Sequence, residues 1–327
     1  MDDMVSFPRA QRSQDATLPD KEEKEVSALL PQYPVYVISK GRFKNCLTAK
    51  MLIRDGVDFF LVVEPQESYR YQLRFPKTKI LQLPFSNLGQ GSIPARNWCW
   101  DHAKKAGHKR HWILDDNIGH VMRRFRSTRI VCQSGPALRC VEDFTDRYTN
   151  VGIAGLAYKM FTPDSSKLPP FYLNVHVYSC LLILNSIPQR WRGRYNEDTD
   201  LCLQVLSAGL CTFLVNAFVI DKKPTMAMKG GNTTELYRKD GRLRMARSLE
   251  RMWPGVVTTQ RRFQRPQHVI KDSWQKFDTL PIPVKGLKRP TKPNEYGLEL
   301  RQVAEIQSDE LKQLFGDKLN GNTNRTS

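Results

Sequence analysis

His111-Trp112-Ile113-Leu114-Asp115-Asp116-Asn117 is a short, bulky apolar run that stops at two adjacent carboxylates and an amide. Its brevity and polar borders predict a buried strand. The carboxylates then stand at the strand's carboxyl end, where open α/β sheets gather their ligands. Two hard oxygen donors there suit a divalent cation such as Mg²⁺ or Mn²⁺, and such a cation suits a diphosphate. A chain built around this stretch is expected to handle a nucleotide.

Upstream, Tyr33 to Ile38 reads as a first strand that ends in Ser39-Lys40-Gly41-Arg42. A helix from Asn45 to Arg54 follows, closed near Gly56. Phe59 to Val63 is a second strand, ending at Glu64-Pro65, and Lys79 to Leu83 a third. Ser92 caps a helix with Pro94 in its first turn, which runs to about Lys105 and stops at Gly107. Strand–helix–strand alternation with continuous apolar strands predicts an α/β fold with a parallel sheet covered by helices on both faces.

Downstream, Gly152 to Ala157 and Val175 to Leu184 read as strands. Asn196 caps a helix through Ser207, and Cys211 to Ile220 is a further strand. Residues 1–30 are expected to be a disordered tail and 31–235 the core. Residues 236–280 form a basic helical extension, in which Leu243, Ala246, Leu249 and Met252 make an apolar stripe. Residues 281–327 are a Pro-rich polar tail with a short helix around Val303 to Phe315.

The composition narrows the partners. Lys and Arg number 51 against 33 Asp and Glu, a formal net charge of +18, which favours a polyanionic partner such as nucleic acid over a merely solvated basic surface. The seven cysteines are odd in number, scattered and without a C-x-x-C pair, so neither a zinc knuckle nor a disulfide framework is indicated. No signal peptide opens the chain and no apolar run approaches the roughly 20 residues of a membrane span. These features predict a cytoplasmic protein with no membrane partner.

Further motifs carry chemistry. In Ser39-Lys40-Gly41-Arg42 the glycine lets a ligand approach the backbone and the cations complement phosphate, although neither P-loop nor dinucleotide glycine spacing is present and a plain surface turn stays open. Arg96 and Asn97 can face the same crevice. Asn196-Glu197-Asp198-Thr199-Asp200 is either an acid-decorated helix start or the source of a general base, with Asp198 first and Glu197 as substitute. Lys229-Gly230-Gly231-Asn232 is a polar segment able to close over a diphosphate, or a linker. His176 reads as a core histidine, and His120 as a minor substrate contact. Basic clusters at Arg123-Arg124-Phe125-Arg126 with Arg129, and around Arg238 to Arg265 with Tyr237, Trp253 and Phe263 interleaved, suit phosphate contacts and base stacking.

Taken in order, these motifs resemble a GT-A glycosyltransferase: a basic turn after the first strand, Asp115-Asp116-Asn117 after the fourth, and Glu197-Asp198 at a later helix start. Tyr36-Val37-Ile38-Ser39-Lys40-Gly41-Arg42, Ile93-Pro94-Ala95-Arg96-Asn97, Trp112 to Asn117 and Asn196 to Asp200 are most similar to the TET-associated and base-J-associated DNA glycosyltransferases, many of them from phages. The resemblance covers residues 33–235 and implies a GT-A-like, Rossmann-like α/β fold whose sheet is mixed, mostly parallel and flanked by helices, with a basic C-terminal extension. It implies transfer of a sugar from a UDP-sugar to a 5-hydroxymethylpyrimidine in double-stranded or locally opened DNA, foremost 5-hydroxymethylcytosine, in a phage-infected or bacterial cell. The base must then leave its stack.

By the same resemblance Asp115, Asp116 and Asn117 would hold Mn²⁺ or Mg²⁺, with Asn117 standing where the family's motif has an acid. Ser39, Lys40, Gly41, Arg42, Glu64, Arg96, Asn97, Asp115 and Lys229 would bind the nucleotide sugar. Asp198, with Glu197, would serve as base, and Arg123, Arg124, Arg126, Arg261 and Arg262 would touch DNA. A monomer is expected. Two rivals stay open: a nucleotidyltransferase of similar fold, and a non-catalytic DNA-binding protein on a decayed transferase fold.

Overall fold

A computed structural model describes residues 29–125, 128–163, 168–223, 228, 230–231, 238–262, 264–271, 273–287 and 292–293. In chain order the first half holds β1 (Val35–Ile38), α1 (Leu47–Arg54), β2 (Phe60–Val63), α2 (Pro65–Arg74), β3 (Lys79–Gln82), α3 (Ile93–Lys105) and β4 (Arg110–Asp115). There follow β5 (Ile118–Phe125), β6 (Thr128–Cys132), α4 (Ser134–Thr145), β7 (Val151–Tyr158), a 3₁₀ turn (Lys159–Phe161), β8 (Phe171–Leu173), β9 (Cys180–Leu184), α5 (Glu197–Ser207) and β10 (Cys211–Lys222). The last elements are α6 (Arg238–Met252), kinked at Gly241, then β11 (Val257–Arg262), β12 (Arg265–Ile270) and a 3₁₀ turn (Trp274–Lys276).

The central sheet has ten strands in the order β3-β2-β1-β4-β9-β7-β10-β5-β6, with β8 also paired to β10. β1 to β4 are mutually parallel and β7 and β10 share their direction; β9, β5 and β8 run against the rest. The sheet is therefore mixed and mostly parallel, as the GT-A resemblance implies, with β1 to β4 the parallel part that the alternation predicts. The pleat sorts β4 between two cores. Trp112 and Leu114 pack with Ala49 and Leu52 of α1, Tyr71 of α2 and Leu138 and Phe144 of α4. Ile113 points the other way, to Cys99 and Trp100 of α3 and Leu201 and Val205 of α5. Helices thus cover both faces. A smaller core of Leu203, Leu249, Val257 and Ile270 ties α6 and the β11–β12 hairpin to α5.

Some expectations need correction. The strand expected from Val175 to Leu184 starts only at Cys180, because Ser179 sits in the left-handed region (φ +65°) and breaks it. The extension expected to be helical is helical only to Met252 and then folds as a hairpin, its side chains alternating across two paired strands. Helices α2 and α4 and the β5–β6 hairpin come without a forecast. None of the seven cysteines, all of them described, forms a disulfide. Among the described residues no helix is long and apolar enough to cross a membrane. The tail expectations for residues 1–28 and the helix around 303–315 lie outside the described residues.

Candidate active site

The turn after β4 is fastened by the start of α1. Leu47 and Thr48 donate their backbone N–H groups to the Asp116 carbonyl at 2.9 and 3.3 Å. Thr48 Oγ1 donates to the Asp115 carbonyl at 2.5 Å and accepts from the Ile118 N–H at 2.9 Å. One threonine thereby fixes where both carboxylates leave the sheet.

Asp116 faces the β1 turn. Its Oδ2 accepts from Ser39 Oγ at 2.7 Å, and Oδ1 pairs with Arg42 Nη1. Tyr71 completes the chain: its hydroxyl accepts from the Arg42 N–H at 3.0 Å and donates to Ser39 Oγ at 2.7 Å. Burial pushes the Asp116 carboxyl up, against the pull of Arg42. Lys40 Nζ reaches Glu64 Oε1 at 3.1 Å and Asn87 Oδ1 at 3.0 Å, while the Gly41 N–H donates to both Glu67 oxygens at 2.9 Å. Gly230 and Gly231 lie across this turn, with Arg42 Nη2 donating to the Gly230 carbonyl at 3.1 Å and the Gly231 N–H to the Lys40 carbonyl at 3.0 Å. A side chain on Gly230 would come within 2.8 Å of the Gly41 carbonyl, so this crossing requires glycine. Lys229 and Asn232 lie outside the described residues.

Asp115 faces the other way, toward α3, α5 and β10. Arg96 forks between two carboxylates, with Nη2 on Asp115 Oδ1 and Nη1 on Asp198 Oδ1, each at 2.8 Å. Its Nε donates to Ser92 Oγ at 3.2 Å, which in turn donates to Glu197 Oε1 at 3.0 Å, and its plane stacks over Trp191 at 4.5 Å. The other Asp115 oxygen accepts from Ser179 Oγ and Lys222 Nζ, both at 2.7 Å. Lys222 also donates to Ser179 Oγ at 2.5 Å and to the Tyr158 hydroxyl at 3.2 Å, and the Tyr158 hydroxyl bonds Ser179 Oγ. The Ser179 N–H donates to Asp198 Oδ2 at 3.1 Å, so its left-handed backbone serves both acids at once.

The electrostatics separate the two carboxylates. Burial alone would raise Asp115, but Lys222 and Arg96 outweigh it and hold the carboxyl far below its ordinary range. Burial, reinforced by Glu197 and Asp115, pushes Asp198 up to about 7 against Arg96 and Lys222. Adjacent carboxyls forced apart in this way are the usual mark of an ionised stabiliser beside a proton acceptor.

The remaining sequence candidates divide. Asn97 clasps the Trp191 backbone through both ends of its amide, a brace rather than a ligand-facing group. Asp200, third acid of its run, is buried against Arg192, Gln204 and Trp253. Asn196 opens α5 in the left-handed region, yet its side chain reaches the Met245 carbonyl instead of capping. His176 packs between Tyr178 and Trp274, half-buried and off the strand in which the apolar run places it, and His120 touches Arg54. Arg123 and Arg124 lie on β5 and Arg261 and Arg262 on β11; Arg126 lies outside the described residues. Sequence reading missed Tyr71, Tyr158, Ser179 and Lys222. Two of these left a trace, since Ser179 interrupts an apolar run and Lys222 closes one.

The donor set does not fit a divalent cation as arranged. Asp115 and Asp116 diverge, and each oxygen of both already accepts from a cation or a hydroxyl. Asn117 turns its Nδ2 to the Lys223 carbonyl at 3.2 Å, and its buried Oδ1 has no partner among the described residues. Among the described residues no group of three or more His, Cys, Asp and Glu side chains converges there. A cation on Asp115 would meet two positive groups within 2.8 Å of the same carboxylate.

No curated protein matches the chain. A solved structure provisionally named as a nucleotide-diphospho-sugar transferase, from Desulfovibrio desulfuricans G20, is 9% identical, with 64% of this chain and 95% of that one covered at a TM-score of 0.35. The family description for the TET-associated glycosyltransferases, by contrast, matches residues 33–231. That span takes in the β1 turn, both carboxylates after β4, the start of α5 and Lys222, and it places the chain in the TET-associated glycosyltransferase family.

Proposed function

We propose that this glycosyltransferase moves a sugar from a UDP-sugar to the hydroxyl of a 5-hydroxymethylpyrimidine in DNA, foremost 5-hydroxymethylcytosine. The observation that carries the reading is the Arg96 fork, which sets the ionised Asp115 and the proton-accepting Asp198 on one guanidinium. The nucleotide lies over the β1 turn, its diphosphate facing Arg42, Arg96 and Lys222. These cations neutralise charge on the departing diphosphate. Asp198 takes the proton from the acceptor hydroxyl as its oxygen attacks the anomeric carbon. A direct displacement of this kind inverts that carbon. The net charge of +18 favours the polyanionic acceptor.

The test incubates the protein with hydroxymethylated DNA and a panel of nucleotide sugars, with and without Mn²⁺, followed by mass spectrometry of the digested nucleosides. One donor should add a sugar mass to the modified nucleoside. No product with any donor and any modified base would sink the reading.

A further inference from the structure

Where β7 leaves the site it turns through Lys159–Phe161 and presents two large apolar side chains to solvent: Met160 is 68% exposed and Phe161 57%. The Phe161 ring stacks on Tyr158 with centroids 5.7 Å apart and planes 11° from parallel. Tyr158 is the residue whose hydroxyl bonds Ser179 and Lys222 beside Asp115. The aromatic face therefore runs from the reacting groups out to solvent without a break.

This turn is braced, not loose. Arg129 Nη1 donates to the Lys159 carbonyl at 2.8 Å and the Thr162 carbonyl at 3.3 Å, and Lys159 Nζ pairs with Asp221 at 3.4 Å. Arg129 belongs to β6 and stands opposite Arg124 of β5, so these two arginines share one face of the hairpin, while Arg123 lies on the other. An exposed apolar patch on a rigid support marks a binding surface. A planar ring flanked by methionine and bordered by arginines has the chemistry of a nucleobase on a phosphate chain.

We propose that Phe161, backed by Tyr158 and flanked by Met160, is the platform on which the acceptor base stacks after leaving its strand, with the β5–β6 hairpin holding the neighbouring phosphates. The inference rests on nucleic acid being the acceptor. It assigns the acceptor subsite to the β7 side of Asp115, opposite the β1 turn.

The test is fluorescence anisotropy with single-stranded DNA carrying one 5-hydroxymethylcytosine, or an abasic site at the same position. Phe161→Ala should weaken binding of the base-containing strand about 5- to 150-fold, the range of one lost base–aromatic stack. Phe161→Trp should restore it to within about threefold, and Tyr69→Ala, an exposed ring on α2, should leave it unchanged. The abasic strand should bind Phe161→Ala and wild type alike. If wild type glycosylates DNA and Phe161→Ala does so with unchanged Kd and KM, the platform alone is overturned. If wild type cleaves a UDP-sugar yet neither binds nor modifies DNA, the acceptor reading falls and the platform with it. A dimer that Phe161→Ala converts to monomer with unchanged DNA affinity also overturns the platform, because the ring then serves a second copy.

Discussion

Arg96 Nη1 lies 2.8 Å from Asp198 Oδ1 while Nη2 holds Asp115 at the same distance, so one guanidinium sets the spacing between the end of β4 and the start of α5. A lysine offers a single point of charge and cannot span both acids. Arg96→Lys should lower kcat about 10- to 150-fold, the worth of one charged hydrogen bond. Arg96→Ala leaves two carboxylates without their shared counter-ion and should cost about 3–5 kcal/mol in denaturant unfolding. Near-normal kcat in Arg96→Lys would remove the fork from the mechanism.

The raised Asp198 links turnover to stability with opposite signs. As a base it must be ionised, so kcat/KM for the acceptor should climb through about pH 7 and then level off. Folding responds the other way. Between the ordinary carboxylate value near 4 and about 7, the folded chain binds a proton here that the unfolded chain has released, so stability from this group, fully present below about 4, is lost as pH rises through about 7. Asp198→Asn removes the titration. Its Tm, relative to wild type, should be more favourable at pH 8 than at pH 5, with turnover abolished at both. A pH-independent Tm difference would show that Asp198 titrates alike in the folded and unfolded chain.

Lys222 stands on Asp115 where a divalent ion was expected from the sequence. If its ammonium and Arg96 supply the positive charge, UDP should bind with the same Kd, within about twofold, in EDTA and in Mn²⁺. Lys222→Met should weaken binding about 10- to 150-fold, as loss of a charged hydrogen bond requires. Calorimetry reads both. A wild-type Kd that collapses on chelation would mean that Lys222 swings aside for a metal.

What was legible in the sequence follows from burial. β1, β2 and β4 are covered on both faces, so they read as apolar runs and their order exposes the α/β half-sheet. Asp115 and Asp116 are legible for the same reason, since each marks where such a run must stop. Their partners are not. Lys222 lies 107 residues from Asp115 and Ser179 64, and both meet it only because β9 folds back alongside β4 and β10 joins the same sheet beyond β7. The break at Ser179 shows in the sequence only as one polar residue in an apolar run, because the bonds to Asp198 and Asp115 that reward it are long-range. The β11–β12 hairpin was hidden by its charge, with Arg261, Arg262 and Arg265 masking the alternation.

Asp198 and Asp200 sit two residues apart at the start of α5, yet only one faces the site. Asp200 is fully buried and accepts from Trp253 Nε1 at 2.7 Å, Gln204 Nε2 at 2.7 Å and Arg192 Nε at 3.1 Å. Trp253 follows α6, so this carboxylate holds the α6–hairpin unit against the helix that carries Asp198. Asp200→Ala strands the Trp253 indole N–H with no acceptor, takes the counter-ion from Arg192 and should cost about 3 kcal/mol, with Tm falling accordingly. Asp200→Asn keeps one acceptor oxygen for Trp253 and should recover about half of that, since hydrogen bonds to charged groups are worth roughly twice neutral ones. Neither variant touches the Arg96 fork directly, so kcat at 20 °C should fall less than in Arg96→Lys. If Asp200→Ala abolishes turnover while Tm is unchanged, Asp200 acts in the chemistry and the division of labour along α5 must be redrawn.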